Sequence, residues 1–322
     1  NVKINNCYFK FYNITSSVPQ GSKLGPLLYI IYANDIADIF KFASIKMYAD
    51  DLTIYAVVNN ESDRKMFQCE LNLLCEWCNK WGLTINFNKC KLLHFGNGNL
   101  YFQYKLGSVD LAKSECEKIH GVIIDSSLSY CNHIYSCVKK ASQVCNIILS
   151  NMFFVNNETL VNLYKIYARP YLDYASVVFA PHCLYIIDTV ESVQRHFIKR
   201  LHNLYDLSYV NRMQVVSIES LELRRLQTDL SFVYKILHGD IDSSLRNSLV
   251  LNNVMGTRGN NFKLYKNSFR LDVRKYFFTC RVIDMWNCLD NVIVCSNKFK
   301  DFSEKLKKNT YLEIFLKGRA LI

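Results

Sequence analysis

The sequence contains no apolar run of the roughly 18 residues that a helix needs to cross a bilayer. Its apolar stretch at residues 30–33 is interrupted by Asn34 and Asp35. The first residues also lack the charged and apolar regions of a secretory signal peptide. We therefore expect no membrane partner, and an intracellular protein of the nucleus or cytoplasm that is not secreted.

Proline and glycine are scarce in the second half of the chain. The sequence has 4 prolines and 11 glycines, and few of either follow Pro181 outside a loop at residues 256–259. No segment repeats at a fixed period, which excludes a solenoid or a propeller. Apolar residues such as Val138 and Ile148 instead recur at helical spacing. The second half is therefore predicted to be mostly helical.

The cysteines lack the even count and short spacing of a disulfide-rich secreted domain. Thirteen are spread through the chain, and we expect them to be reduced and mostly buried. Cys75 and Cys78 have the spacing of half a zinc site, but no second ligand pair follows at finger-like spacing. Packing in a helix core is the favoured interpretation, and zinc binding is the alternative.

Acidic residues are the minority charge. The chain has 28 Asp and Glu against 39 Lys and Arg, a formal net charge of +11. This excess suits a polyanionic partner, because each cation on a phosphate releases counterions. Solvated surface lysines would give the same balance, so charge alone leaves nucleic-acid binding open. A length of 322 residues, half of them apolar, predicts a folded protein of about two domains.

The adjacent carboxylates of Asp50 and Asp51 are the most informative feature. Apolar residues alternate with others in residues 45–48 and 52–58, which predicts two strands joined by a tight turn. Two carboxylates at a hairpin tip repel each other unless a cation is present, so they are candidate metal ligands. Aspartate also favours turns for local hydrogen bonding, and that alternative is open for the pair taken alone.

The surrounding sequence predicts further elements. Residues 25–40 form an apolar run that predicts a buried helix, with Pro26 in its first turn. A second helix is predicted to begin near Asn60 and to end at Gly82. Its apolar stripe consists of Phe67, Leu71, Leu74, Cys78 and Trp81. Residues 83–87 and 92–95 are predicted strands.

Two longer motifs flank the paired aspartates. Residues 17–28 read Ser-Val-Pro-Gln-Gly-Ser-Lys-Leu-Gly-Pro-Leu-Leu, and residues 81–89 read Trp-Gly-Leu-Thr-Ile-Asn-Phe-Asn-Lys. With Tyr-Ala-Asp-Asp at residues 48–51, their order and spacing resemble the palm of a reverse transcriptase of a non-LTR (LINE-type, jockey-like) retrotransposon. The resemblance continues through residues 169–175, 187–195, 221–225 and 277–287.

This resemblance implies an α+β fold class. Residues 1–130 would be a partial polymerase palm, an antiparallel sheet with helices, and residues 131–322 a mainly helical thumb and C-terminal region. The implied activity is that of an RNA-directed DNA polymerase, a nucleotidyltransferase that uses two Mg²⁺ ions. Its implied partners are an RNA template, a DNA primer and deoxynucleoside triphosphates. The oligomeric state is left open.

The same resemblance assigns site residues. Asp50 and Asp51 would be the catalytic metal ligands, and Lys89 a catalytic residue near the leaving pyrophosphate, although a solvated lysine at a strand end is the alternative. Template and nucleotide contacts fall on Pro19, Gln20 and Gly21, where a plain strand-to-helix turn is the alternative.

The turn at Gly121 and Val122 would be the primer grip, in which His120 replaces the leucine of relatives. Five basic residues of the helical region are candidate contacts to the nucleic-acid backbone: Arg195, Lys199, Arg200, Arg224 and Arg225. Helical arginines and lysines are often only solvated or salt-bridged, and that reading is open for all five.

Part of the family's catalytic machinery is not found in this sequence. Relatives carry a third carboxylate in an earlier segment, and the first twenty residues here contain no aspartate. We expect a C-terminal fragment that is inactive by itself and lacks the upstream aspartate and fingers. A non-catalytic nucleic-acid-binding remnant of a decayed element is the alternative, and a helical protein-interaction module at residues 131–322 is a third possibility.

Overall fold

The computed structural model describes residues 3–4, 7–8, 18, 21–96, 98–152, 154–241, 244–252 and 262–319. The chain folds into two compact units, Asn1–Glu115 and Cys116–Ile322. Pro19, Gln20 and the loop at residues 256–259 lie outside the described residues. The division precedes the boundary expected near residue 130, and the assignment of a palm and a thumb to the two parts stays a prediction.

The first unit mixes short strands with helices. Its strands are β1 (Lys3–Ile4), β2 (Cys7–Tyr8), β3 (Ser44–Tyr48), β4 (Asp51–Tyr55), β5 (Lys91–Leu93), β6 (Lys105–Leu106), β7 (Val109–Asp110) and β8 (Ala112–Ser114). Its helices are α1 (Gly25–Ala33) and α2 (Glu61–Lys80), with 3₁₀ segments at Asn34–Ile39 and Phe87–Lys89.

The mixed helix and strand content agrees with the predicted class. The described strands nevertheless form separate two-stranded pairs, and not the one antiparallel sheet that the resemblance implies. In this unit β1–β2, β3–β4 and β6–β7 are antiparallel, whereas β5–β8 is parallel.

Helix α2 follows the predicted apolar stripe. Phe67, Leu71, Leu74 and Cys78 are all buried. The side chain of Asn60 caps the helix by accepting the N–H of Asp63 at 2.9 Å. The stripe ends earlier than predicted, because Trp81 follows the last helical residue and is 38% exposed. Trp77 packs in the core instead, and its Nε1 donates to Asp35 at 3.2 Å.

The prediction of a buried helix at residues 25–40 is wrong. Pro26 does lie in the first turn of α1, but the helix ends at Ala33 and continues as a 3₁₀ segment. Ala33 is the buried residue of this helix, whereas Leu27, Ile30 and Ile31 are each more than half exposed. A helix that is apolar on every side has no polar face to mark which side meets the core.

The strand predicted at residues 83–87 is also absent from the structure. Leu83 and Ile85 alternate in burial with Thr84, but the segment pairs with no strand in the described ranges and leads into the 3₁₀ segment Phe87–Lys89. The strand predicted at residues 92–95 is present as β5, one residue earlier and shorter. Alternation of apolar and polar residues indicates which side chains face a core. Strand pairing, however, depends on a neighbouring strand that the local sequence does not specify.

The second unit begins with a hairpin and is otherwise helical. Its strands are β9 (Cys116–Ile119) and β10 (Val122–Asp125), which pair antiparallel. Its longer helices are α3 (Cys131–Asn151), α4 (Asn157–Leu163), α6 (Leu184–Lys199), α7 (Tyr209–Val215), α8 (Leu221–Leu237), α13 (Phe299–Lys307) and α14 (Tyr311–Arg319). Its short helices are α5 (Pro170–Asp173), α9 (Asp272–Lys275), α10 (Phe278–Arg281), α11 (Ile283–Asn287) and α12 (Asn291–Val294), with a π-helical turn at Tyr164–Ala168 and a 3₁₀ segment at Ser244–Ser248.

Two apolar cores stabilise this unit. The first lies among α3, α4, α6 and the β9–β10 hairpin, and includes Tyr164 and Phe197 with stacked rings. The second lies between α8 and helices α10–α14, with Trp286 and Phe302 fully buried. A buried ion pair joins α8 to α10, where Arg281 Nε donates to Asp229 at 2.9 Å.

The cysteines behave only partly as predicted. The twelve whose side chains are described are free. Cys78 packs in the core of the first unit, as favoured for the Cys75 and Cys78 pair, but most of the others are partly or fully exposed. Across the described residues, every helix is too short or too polar to span a membrane.

Candidate active site and nucleic-acid interface

The paired aspartates lie at the tip of the β3–β4 hairpin. Strand pairing ends at Tyr48 and Asp51, which leaves Ala49 and Asp50 as a two-residue turn. Ala49 has a φ of 52°, and a positive φ at this position gives the turn the twist that the strands need. A non-glycine residue there is strained by about 1 kcal/mol. The turn holds both carboxylates exposed at the end of the hairpin.

Two features position this hairpin in the first unit. Buried Glu70 of α2 binds the segment that leads into β3, accepting the N–H groups of Lys41 at 2.7 Å, Phe42 at 2.7 Å and Ala43 at 2.9 Å. Tyr29 of α1 packs against the same core as Ile45 and Leu52 of the hairpin, and burial followed by the charge of Asp50 raises the pKa of its hydroxyl. The hairpin is thus tied to α2 through Glu70 and shares a core with both helices.

The residues present fit part of a magnesium site. Carboxylate oxygens are the ligands that Mg²⁺ prefers, and Asp50 and Asp51 both present theirs to solvent. Within the described ranges, however, no group of three or more His, Cys, Asp or Glu side chains could hold a metal ion. Mg²⁺ keeps several waters and is usually bound by one or two carboxylates with substrate phosphates, so two aspartates of one turn supply only part of the carboxylate ligands for a two-ion site.

Two other predicted site residues of the first unit are described, Gly21 and Lys89. Gly21 is exposed with a φ of 82°, and a Cβ added there would meet nothing within 4 Å. The backbone at Gly21 is therefore open to a close ligand. Lys89 is exposed at the end of its 3₁₀ segment, just before β5.

The predicted primer grip is the turn of the β9–β10 hairpin. Ile119 pairs with Val122, so His120 and Gly121 form a two-residue turn with φ values of 46° and 85°. Positive φ at both positions defines a type I′ turn. The hydroxyl of Tyr174 donates to the His120 carbonyl at 2.8 Å and fixes the turn against the end of α5. The imidazole in place of leucine is exposed, so it leaves no gap in the core.

A cleft of about 580 Å³ opens beside this turn. Gly121 lines it together with Lys118 and Lys140, and with the partly exposed rings of Tyr167, Tyr171 and Tyr174. No described Asp or Glu is among its lining residues. Cations bind phosphates and exposed rings stack on bases, so the cleft has the groups that contact nucleic acid. Sequence reasoning missed them, although Lys118 lies close to the recognised turn.

Two buried polar side chains support the turn and the cleft. Asp125 accepts three backbone N–H groups, from Ser127 at 3.1 Å, Ser129 at 3.0 Å and Tyr130 at 2.8 Å. Burial favours a higher pKa for Asp125, but hydrogen bonds to the carboxylate outweigh it, so the pKa is lowered. Nδ1 of His133 accepts the N–H of Ile123 at 3.3 Å. Burial, followed by the charges of Lys140 and Lys118, lowers the pKa of His133.

The structure separates the five basic residues predicted to contact the nucleic-acid backbone. Lys199 and Arg200 are exposed at the end of α6, with Lys199 Nζ 4.8 Å from the ring centre of Tyr205. Arg195 forms an ion pair with Asp188 on its own helix. Lys199 and Arg200 are thus exposed, with Arg200 also donating to Asn146 Oδ1 at 3.2 Å, and Arg195 is partly neutralised.

The two arginines of α8 contact the end of α5 instead. Arg224 binds Asp173 at 3.0 Å, and Asp173 also lies 3.4 Å from Arg169. Arg225 is 8% exposed and donates to the Leu172 carbonyl at 3.0 Å. Two segments that carry the family resemblance, residues 169–175 and 221–225, therefore bind each other. Arg225 is not presented at the surface and holds α8 against α5.

Comparison with known proteins agrees with the resemblance that the sequence motifs indicate. Residues 2–146 match the family described as Reverse transcriptase (RNA-dependent DNA polymerase). This segment, a little under half of the chain, is similar to the reverse transcriptase family. The match covers both hairpin turns and Lys89, and it ends within α3.

The curated relatives are polymerases of mobile elements. The RNA-directed DNA polymerase from mobile element jockey of Drosophila funebris is 27% identical over 202 residues, 58% of this chain and 22% of the relative. The probable RNA-directed DNA polymerase from transposon BS of Drosophila melanogaster is 30% identical over 156 residues, 44% of this chain and 17% of the relative. A third, from transposon X-element of the same species, is 23% identical over 57% of this chain and 21% of the relative.

These relatives confirm the resemblance to non-LTR retrotransposon reverse transcriptases. The chain spans about a fifth of the length of the relatives it matches. No solved structure matches it. Helices α6 and α8, with the five basic residues, lie beyond the part of the chain that matches the reverse transcriptase family.

Proposed function

We propose that this chain is part of an RNA-directed DNA polymerase of a non-LTR retrotransposon. The parent enzyme would extend a DNA primer on an RNA template with deoxynucleoside triphosphates, in the nucleus or cytoplasm. The reverse transcriptase match of residues 2–146 is the observation that carries this proposal. The exposed carboxylates of Asp50 and Asp51, held on a strained two-residue turn inside that match, support it.

In the complete enzyme Asp50 and Asp51 would supply ligands to two Mg²⁺ ions. Such ions stabilise the charge that develops on the attacking and leaving oxygens. Residues of this chain would perform the surrounding tasks. Lys89 would neutralise the leaving pyrophosphate, and the open backbone at Gly21, with Pro19 and Gln20, would approach the template and nucleotide.

The β9–β10 turn would hold the primer. Gly121 allows close approach at a positive φ, and buried Val122 fixes the strand that follows. The lysines and tyrosines of the adjacent cleft would contact phosphates and bases. Lys199 and Arg200 would bind backbone phosphates farther along the duplex.

We infer that the 322 residues do not polymerise by themselves. Among the described residues, no third His, Cys, Asp or Glu joins the two aspartates in a group that could hold a metal ion, and a two-ion mechanism needs more ligands than these two supply. The same observation favours a second candidate, a remnant that binds nucleic acid without catalysis. The two candidates differ in whether added upstream residues restore activity.

Primer extension on RNA with Mg²⁺ tests the proposal. The 322-residue protein should not extend a primer, and a longer protein translated from the native reading frame should. In the longer protein, Asp50→Asn should abolish extension, whereas Asp110→Asn, at an exposed aspartate of β7, should leave it unchanged. Extension that persists after Asp50→Asn would contradict the assigned site. A folded longer protein that stays inert would favour the remnant.

A further inference from the structure

The β9–β10 turn is held by a side chain from outside its own hairpin. Strand pairing ends at Ile119 and Val122, so His120 and Gly121 lie beyond the ladder. Tyr174 contacts both of these turn residues. Its hydroxyl donates to the His120 carbonyl at 2.8 Å, and its ring lies so close to Gly121 that a Cβ added there would be 3.3 Å from Cε1. The conformation of the turn is therefore tied to a tyrosine that is distant in the sequence.

Core packing does not account for Tyr174. The residue is 57% exposed, so it buries little apolar surface. The backbone around it is irregular, because Ala175 has a φ of 55° and a π-helical turn at Tyr164–Ala168 precedes α5. Such backbone costs free energy, persists only where the surrounding structure imposes it, and is common at functional sites. The segment that carries Tyr174 thus has a conformation that its own residues do not favour.

Arginines from two other helices impose this conformation. The two arginines of α8 bind the residues before Tyr174, at the Leu172 carbonyl and the Asp173 carboxylate, each at 3.0 Å. Arg281 of α10 binds the segment after it, with Nη2 donating to the Val177 carbonyl at 2.9 Å. The same guanidinium forms the buried ion pair with α8, which fixes its position. All these groups lie beyond residue 146, where the match to reverse transcriptases ends, so the helical part of the chain holds the residue that contacts the turn.

We propose that Tyr174 is a positioning residue for the primer. Its hydroxyl and ring set the position in which the β9–β10 turn presents Gly121 to the cleft, and the arginine contacts hold Tyr174 in place. Tyr174 acts in this way through the turn and not on a reacting atom. The role of the turn as a primer grip rests on the function proposed above, whereas the contact of Tyr174 with the turn does not. The helical part of the chain beyond the family match thereby acts in primer placement, although the paired aspartates lie in the other unit.

Hydrogen exchange of the 322-residue protein tests whether Tyr174 fixes the turn. Tyr174→Phe keeps the ring and removes the hydroxyl that binds the His120 carbonyl. The amides of residues 116–125 should then exchange about fivefold faster, because a single hydrogen bond contributes roughly that factor to the equilibrium for local opening. Tyr265→Phe, the matched control, removes a hydroxyl of similar exposure outside the cleft and should leave this exchange unchanged. Equal exchange of the hairpin in both variants would overturn the role of Tyr174.

Kinetics of the longer protein used for primer extension separate a positioning role from a merely structural one. Tyr174→Phe should raise KM for the primer–template by up to about fivefold, because it lowers the fraction of protein whose turn is competent to bind. The values of kcat and of KM for deoxynucleoside triphosphate should stay as in the unaltered protein, whereas a folding defect would lower kcat alone. An unchanged KM for primer–template, or a fall in kcat alone, would overturn the positioning role. If the longer protein is inert, the polymerase proposal fails, and the dissociation constant of the 322-residue protein for primer–template gives the same comparison.

Discussion

Single buried polar side chains hold the loops on which both candidate turns depend. Glu70 binds three backbone N–H groups before β3, and Asp125 binds three after β10. His133 does the same for one N–H of β10 through an unprotonated nitrogen. His133 can accept this N–H only while its ring is neutral, because a protonated Nδ1 has no lone pair left. At this residue, side-chain chemistry therefore couples the hydrogen bonding of β10 to pH.

His133 provides the first prediction. Its pKa is lowered from the ordinary value of 6.5, so the unfolded chain takes up a proton before the folded one. The stability from neutral His133 should be complete above about pH 6.5 and should be lost as the pH falls below it. His133→Asn keeps an acceptor oxygen without a titrating group, and should flatten the decline in melting temperature between about pH 7 and pH 5.

The exposed His202 offers the matched control for this measurement. His202→Asn removes a histidine at the surface, and should leave the pH profile of the melting temperature as in the unaltered protein. If His133→Asn and the unaltered protein show the same profile, the imidazole of His133 does not carry the pH dependence.

At the scale of secondary-structure elements, the sequence predicts correctly a helix whose apolar residues lie on one face. Helix α2 has apolar residues on one face and a capping Asn60, and its bounds agree with the prediction to within a residue or two. Helix α1 is apolar all round, and the inference that it is buried fails for Leu27, Ile30 and Ile31. The absence of a strand at residues 83–87 could not be predicted either, because strand pairing depends on partners distant in sequence.

The candidate site follows the same rule. The turns at Asp50 and Gly121 were predictable because both depend on local residues, and the structure places both at two-residue hairpin turns. The burial of Arg225 could not be predicted, because the Leu172 carbonyl that it binds lies far away in the sequence.

Glu70 gives the prediction at this scale, since it ties α2 to the β3–β4 hairpin. Glu70→Ala would leave three N–H groups near the core without their acceptor, at about 1–3 kcal/mol for each that stays buried. We expect thermal melts to show a clear loss of stability in the first unit. Glu76→Ala, at an exposed glutamate of the same helix, should change the melting temperature little. Equal melting of the two variants would mean that water replaces the carboxylate.

At the scale of the whole molecule, charge is divided unevenly between the two units. Residues 116–322 contain 27 Lys and Arg against 18 Asp and Glu, which leaves nine of the eleven net positive charges there. The first unit carries the paired carboxylates and is nearly balanced. Binding of nucleic acid should therefore depend mainly on the helical unit, and the carboxylates should add little or oppose it.

The last prediction concerns this binding. The chain should bind an RNA–DNA primer–template without sequence preference, and six or more phosphate contacts would weaken binding about a thousandfold between about 50 and 200 mM salt. Lys199→Gln with Arg200→Gln should reduce the salt slope, whereas Lys65→Gln with Lys105→Gln, which removes two exposed lysines of the first unit, should not. Asp50→Asn should leave binding intact or slightly tighter, because one repelling charge is removed.

Anisotropy titrations at two salt concentrations measure this binding. If the folded protein does not bind, or binds equally well at both salt concentrations, the positive charge of the chain does not serve to bind nucleic acid.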